Sequence, residues 1–269
     1  MVDVFIIGTG MVGYVQLTIE AQQSLDRSEV AYVVDAQKIV KDHIRDEYDV
    51  HVVDLTTEYT EKEDRRTTYE LMARKVLDDA GTRDNPVALA LYGHPMVFVS
   101  PSRMVAERAR ERGLDVEIKP GISAIDCVYA DIEFDPARNG VHMFEATDLL
   151  LREWELNPDV PVMLWQIGAV ETIRHTTGDS DPQRFERFKR YLRQFYPDDH
   201  TIQLLQTATY PIAESQRVEI PLAELETIAS TIDAGAHILY IPPVRDRPIQ
   251  NRELLDQVRS KEHIETITR

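Results

Sequence analysis

Three groups of residues in this 269-residue chain have the types and spacing for chemistry. The first is Gly8-Thr9-Gly10-Met11-Val12-Gly13, which follows the apolar run "VDVFIIG", with Asp35 closing the next apolar run, "VAYVVD". A glycine turn after a strand lets a ligand approach the backbone, and a carboxylate ending the next strand is where a dinucleotide's ribose is held. That reading is a NAD-dependent oxidoreductase. The second group is Tyr59, Arg65 and Tyr69. Arg65 and Tyr69 are four apart on a predicted helix and share a face, while Tyr59 lies in the connection leading to it. A phenol titrates near about pH 10, and a permanently charged guanidinium beside it stabilises its anion, so the set has the makings of a base. The third is Tyr92-Gly93-His94-Pro95, where an apolar strand breaks before Val97 and Phe98. Side chains at the carboxyl end of such a strand face the ligand in open parallel sheets. Taken singly, each group has a plainer reading. The glycines suit any tight turn, an arginine on a helix is most often a solvated surface partner, and a lone histidine before proline is most often a turn residue.

The elements that must position these residues follow from periodicity. "VDVFIIG", "VAYVVD", "VHVVDL", "PVALALYG" and "DVEIKPGISA" read as strands, the fully apolar ones as buried on both faces. Between them lie helical stretches: "YVQLTIEAQQSLDRS" with Val15, Ile19 and Leu25 in rough helical spacing, a weaker "AQKIVKDHIRDEY", and "SRMVAERARERG". The best-marked helix is "EDRRTTYELMARKVLDDAG", with Asp64 as its N-cap, Leu71, Val76 and Leu77 on the buried face, and Gly81 at its end. Strand and helix alternate, which implies a largely parallel sheet covered by helices. Beyond about residue 120 the pattern loosens. "PVMLWQIG", "TIQLLQTAT" and "HILYIPP" are strands separated by long polar stretches, so a second α/β domain with fewer helices is expected, followed by a charged tail. The units expected are 1–122, 123–247 and the tail 248–269.

Composition narrows the function. The net charge of −17 repels phosphate backbones, which speaks against nucleic acid as a partner. No apolar stretch is long enough to span a bilayer, and the N-terminus lacks the basic start of a secretory signal. The single cysteine, Cys127, excludes an internal disulfide, fits a reducing cytoplasm, and reads as a small buried apolar residue. His142, His175, His200 and His237 show no metal-ligand spacing, and no metal is expected.

Three segments give the chemistry a context: "LALYGHPMVFVSP" (89–101), "KPGISAIDCVYADI" (119–132) and "YTEKEDRRTTYELM" (59–72). Together with the opening "GTG…QLTIEA…EVAYVVD", "WQIG" near residue 165 and "PLAELETI…GAHILYIPPV", they resemble the tetrapyrrole methylase family of S-adenosylmethionine-dependent methyltransferases. The resemblance implies the class III methyltransferase fold, two α/β domains with the cofactor cleft between them. Within the family, Tyr-Gly-His-Pro followed by "PGISA", preceded by a tyrosine and Arg-x-x-x-Tyr, is similar to the borosin methyltransferases, which N-methylate backbone amides of a ribosomal peptide. Met96 departs from the pattern, since many borosin enzymes have glycine there.

The resemblance implies roles. A peptide nitrogen is a poor nucleophile because its lone pair is delocalised into the carbonyl, so it must lose its proton to attack a methyl sulfonium. Tyr69 or Tyr59 would be the base, Arg65 its electrostatic partner, and Tyr92 the donor that orients the peptide carbonyl. The family's cofactor loops fall on Tyr92, His94, Val97, Phe98, Ser123, Ala124 and Gln166, which would hold S-adenosylmethionine and release S-adenosylhomocysteine without a metal. The opening glycine turn then belongs to the substrate side, and Asp35 loses its ribose role. Some borosin enzymes carry their substrate as an apolar C-terminal extension. Here the residues after "ILYIPPV" are charged, so a separate precursor peptide in trans is expected, as are a homodimer and a cytoplasmic location. The alternatives are a methyltransferase acting on a tetrapyrrole or other small molecule, the NAD-dependent oxidoreductase, and a non-enzymatic nucleotide-sensing module.

Overall fold

A computed structural model of the chain describes residues 2–177, 180–232 and 237–268, so Gly235 and Ala236 of "GAHILYIPPV" lie outside the described residues. The first half forms a wholly parallel sheet of β1 (Val4–Gly8), β2 (Val30–Val34), β3 (His51–Asp54), β4 (Val87–Leu91) and β5 (Val116–Lys119), in the order β3-β2-β4-β1-β5. The unbroken apolar runs have a simple cause: both faces of the sheet are covered. Val4 and Ile6 of β1 pack under α3 (Arg65–Ala80) and α4 (Ser100–Glu111), while Phe5 and Ile7 pack under α1 (Ile19–Asp26) and α2 (Lys38–Glu47). The alternation is the two-residue period of a strand.

The helix that carries the candidate base is well defined at both ends. The Asp64 carboxylate accepts from the Arg66 N–H at 2.8 Å, and Gly81 closes the last turn. Its buried stripe is Thr68, Met72, Ala73, Val76, Leu77 and Ala80, which leaves Tyr69 on the shoulder of that stripe. Leu71 is only half-buried, and Met72 and Ala73 fill the core in its place. A second expectation also changes. Val15 and Ile19 are 55% and 73% exposed, because the chain makes a short 3-10 turn at Gly13–Gln16 and α1 begins only after Thr18, whose hydroxyl accepts from the Ala21 N–H.

The second sheet is mixed, in the order β6 (His142–Glu145), β7 (Val162–Trp165), β10 (Ile238–Ile241), β8 (Thr201–Gln206) and β9 (Gln216–Pro221). Only β6 and β7 run parallel; the other pairs are antiparallel. Its helices α5 (Ala124–Asp131), α6 (Pro136–Asn139), α7 (Ala146–Arg152) and α8 (Glu186–Leu192) match those of the first half in number among the described residues, and none of them exceeds eight residues. One core joins α7, α8 and the sheet around Phe185, Phe188 and Leu239; a smaller one sets Val128 of α5 against Met163 and Trp165. The tail forms two short exposed helices, α9 (Arg252–Gln257) and α10 (Lys261–Ile267). No helix among the described residues is long and apolar enough to cross a membrane.

Two backbone contacts decide where the site lies. At the carboxyl ends of β1 and β4 the loops pair: the Gly93 N–H donates to the Gly10 carbonyl at 2.9 Å and the Gly10 N–H to Gly93 at 3.3 Å. Between the halves, residues 62–65 run against 173–175, with N–H donors of Lys62 to His175, His175 to Glu63, and Arg65 to Ile173.

Candidate active site

The carboxyl ends of β1, β2 and β4 open into a cavity of about 700 Å³ whose far wall is the second sheet. Its size falls in the range of pockets that hold ligands of cofactor dimensions. Tyr59, Tyr69, Tyr92, His94, Val97, Phe98, Ser123, Ala124 and Gln166 all line it. Arg65 does not; it faces a neighbouring cavity of about 780 Å³, which shares Tyr69, Phe98, Ser100 and Gln166 with the first.

Tyr59 and Tyr69 meet edge to face, ring centroids 6.3 Å apart. The five residues after Tyr59 return the chain to α3, so the residue before the helix and the residue on it share one wall. Burial first, then Tyr69, push the Tyr59 phenol above its ordinary value, and Arg65 opposes this only weakly. Tyr59 therefore stays protonated beside Tyr69. The Arg65 guanidinium is held by the second half: Nη2 donates to the Thr172 carbonyl at 2.7 Å and Nε to Ile173 at 3.2 Å. Arg184 holds the same loop through the Val170 carbonyl at 2.6 Å, and its pKa is lowered by burial and by the nearby Arg65. Arg65 is thus a tether between the halves as well as a charge near the phenols.

Tyr92 is raised by burial, with Asp35 and Cys127 adding to it, so it too presents an O–H. His94 Nδ1 accepts the Met96 N–H at 3.0 Å, which shapes the turn that brings Val97 and Phe98 to the cavity. Phe98 sits at φ +52° and Gln166 at φ +56°, a left-handed backbone that side chains other than glycine seldom adopt. They meet across the cleft: Gln166 Nε2 donates to the Phe98 carbonyl at 3.3 Å, and Phe98 stacks on Trp165 at 5.2 Å. Such strain persists where the surroundings over-determine it, commonly at ligand sites. Ser123 caps α5 through a reciprocal bond with Asp126, which points the start of that helix at the cavity.

The glycine turn has a different use. A methyl group on Gly8 would collide with the Gly93 carbonyl oxygen and lie 2.8 Å from the Gly121 Cα. These glycines let three loops cross, and Met11 is the residue of the turn that reaches the cavity. Asp35 is buried, its Oδ2 accepting from the Thr9 hydroxyl at 2.9 Å and its Oδ1 from the Gln37 N–H at 2.8 Å. Burial raises its pKa. Cys127 is half-buried rather than buried; the Gln16 carboxamide lies 3.9 Å from its sulfur.

Sequence reasoning missed His175, which stacks on Tyr59 at 4.8 Å. Its only signal is the pairing of 62–65 with 173–175, and that is invisible along the chain. Trp165 was also missed. Its indole N–H is buried at the cavity with no acceptor among the described residues, which is what a ligand's oxygen or nitrogen would satisfy. No cluster of metal-ligating side chains is present among the described residues.

Comparison with known proteins bears on this geometry. The chain is 32% identical over 252 residues to the methyltransferase/ribosomally synthesized type I borosin cyclic peptide precursor of Serendipita vermifera subsp. bescii, covering 88% of this chain and 58% of that protein. It is 30% identical over 242 residues to the type II borosin precursor of Phlebiopsis gigantea, covering 89% of this chain and 42% of that one. The chain thus spans about half the length of the curated relatives it matches. Among solved structures, cobalt precorrin-4 methyltransferase superposes with a TM-score of 0.61 at 16% identity, covering 89% of this chain and 94% of that one. The uroporphyrin-III C-methyltransferase of Thermus thermophilus, complexed with S-adenosyl homocysteine, gives 0.60 at 17%, covering 89% and 91%. These likenesses establish the class III methyltransferase fold. The sequence pattern of the Tetrapyrrole (Corrin/Porphyrin) Methylases matches residues 3–226, and with two α/β halves meeting over one cavity, the chain belongs to that family.

Proposed function

We propose that this chain is an S-adenosylmethionine-dependent methyltransferase that methylates backbone amide nitrogens of a ribosomal peptide. The observation that carries the reading is the Tyr59–Tyr69 pair beside Arg65, on the cavity wall shared with Tyr92. A tetrapyrrole carbon nucleophile has no need of such a set. The borosin names of the relatives point the same way. S-adenosylmethionine fits the residues present: the walls are largely apolar, the strained Phe98 offers a stacking face, and the unpartnered Trp165 N–H awaits a polar atom. When bound, it supplies an electrophilic methyl group and leaves as S-adenosylhomocysteine.

The chain's residues act on the peptide. Tyr92 O–H donates to the peptide carbonyl, favouring the imidate form in which the nitrogen is nucleophilic. Tyr69 takes the amide proton, its oxygen stabilised by the Tyr59 hydroxyl and the Arg65 charge. Closure of the peptide over the cavity excludes water from the charge-dispersing transfer. His94, Val97, Ser123, Ala124 and Gln166 hold the cofactor. Asp35 is engaged by Thr9 and Gln37, and the glycines by loop crossing, so nothing favours the NAD reading. The reading includes a homodimer, which light scattering checks.

The test is co-expression with short open reading frames encoded nearby, followed by tandem mass spectrometry. Methyl groups on backbone nitrogens are expected, and Tyr69→Phe lowers their rate by about 10²–10⁴-fold, the worth of a positioned base, with S-adenosylhomocysteine affinity within threefold of wild type. Tight binding of NADH in place of S-adenosylhomocysteine would overturn the reading.

A further inference from the structure

The cavity holds one buried acceptor that the scheme above leaves idle. Gln37, 6% exposed, follows Asp35 at the carboxyl end of β2. Its Nε2 donates to the Met11 carbonyl at 3.2 Å, which fixes the orientation of the carboxamide, since a carbonyl accepts only from the nitrogen. The Oε1 that results has no donor among the described residues, although the residue lines the cavity. Beside it stands the Asp35 carboxylate, also on the cavity wall, with the Thr9 hydroxyl and the Gln37 backbone N–H directed at it. The unpaired acceptor in this corner of the site suits a ligand that brings an N–H or O–H.

Resting on the peptide reading, we infer that Gln37 Oε1 accepts an unmethylated backbone N–H of the substrate at a position flanking the one that reacts, and so reads whether that neighbour is already methylated. A secondary amide satisfies the acceptor. An N-methylated amide leaves it buried and unpaired, and its methyl group fills the space where the hydrogen belonged. A site built to bond an N–H rejects the analogue lacking it far more strongly than an apolar pocket rejects one methylene. The enzyme thereby acquires an order of methylation from the site itself. Gln37 is a specificity residue; it does not touch the proton that is transferred. The second-domain and Ser123 walls are left to the cofactor.

The test uses the full chain with S-adenosylmethionine and a synthetic dodecapeptide of apolar residues. A set of its variants each carries one preinstalled N-methyl group, scanned along the peptide. For wild type, one flanking position is expected at which preinstalled methylation lowers kcat/KM for its neighbour by tenfold or more. Gln37→Leu is expected to shrink that ratio to within twofold, while Gln37→Glu, which keeps an acceptor, preserves it. S-adenosylhomocysteine affinity measured by calorimetry is expected to stay within threefold in both variants. An unchanged ratio in a folded Gln37→Leu would overturn the inference and leave the peptide reading standing. A loss of S-adenosylhomocysteine affinity of tenfold or more would instead place Gln37 on the cofactor and overturn it as well. Failure of wild type to methylate any peptide in the set, with S-adenosylhomocysteine bound, would overturn the peptide reading and this inference with it.

Discussion

The loop after β1 and the loop after β4 look alike on paper: each follows a buried apolar strand, each is punctuated by glycine, and each precedes a helical segment. In the folded chain they do opposite things. Gly8 and Gly10 face inward, against Gly93, Gly121 and Gln16, and let three loops pass within backbone contact. The residues after Gly93 face outward into the cavity, and there the strain falls on a bulky residue, Phe98 at φ +52°. A glycine motif thus marks a place where the backbone needs room. What needs the room, a ligand or another strand of the same chain, is a separate question.

The contrast can be broken most sharply at Gly8. Gly8→Ala is expected to cost about 3 kcal/mol, the upper range for overpacking, because the added methyl meets a backbone carbonyl that cannot rotate away. Gly13→Ala, in the same motif, meets nothing closer than 3.7 Å and carries only its φ of +56°, for about 1 kcal/mol. Urea unfolding of the two variants measures the difference. Equal costs would show that the crossing of loops is not what the first glycine is for.

At the second loop the sign reverses. Phe98→Gly is expected to be more stable than Phe98→Ala by about 1 kcal/mol, since glycine alone is at ease at positive φ. Both lose the stack on Trp165 and both weaken S-adenosylhomocysteine binding several-fold in calorimetry. The smallest effect belongs to Asp35. Its folded pKa is raised by burial, so the protonated carboxyl is favoured by folding. Its stabilising contribution is full below the unfolded carboxylate pKa and is lost as pH rises through the folded value. Asp35→Asn should therefore raise Tm relative to wild type at pH 7 and lose that advantage at pH 4, as thermal melts at the two values would show.

Much of the first half was legible before folding was considered. Val4 to Ile7 had to be a strand covered on both sides, and Asp64 and Gly81 had to bound a helix, because caps and periodicity act over a few residues. The second half was less so. Its short helices and mixed sheet depend on pairings such as β8 with β10, which no local pattern announces. The misplacement of Val15 and Ile19 has a local cause, since Thr18 caps a helix that starts four residues later than the apolar spacing suggests.

For the site, sequence by itself determined the chemical inventory: two phenols and a guanidinium around one helix start, a third phenol at a strand end, a Gly-His-Pro turn and no metal-ligand spacing. Residue types and short spacings suffice for that, because i,i+4 neighbours on a helix and the residue ending a strand have places fixed by backbone geometry alone. Tertiary structure decided the rest. It set His175 on Tyr59, bound Arg65 to the carbonyls of residues 172 and 173, and left Gln37 Oε1 and the Trp165 N–H without partners on one cavity. Each of these joins residues tens to more than a hundred positions apart or depends on burial, and both arise only in the folded chain.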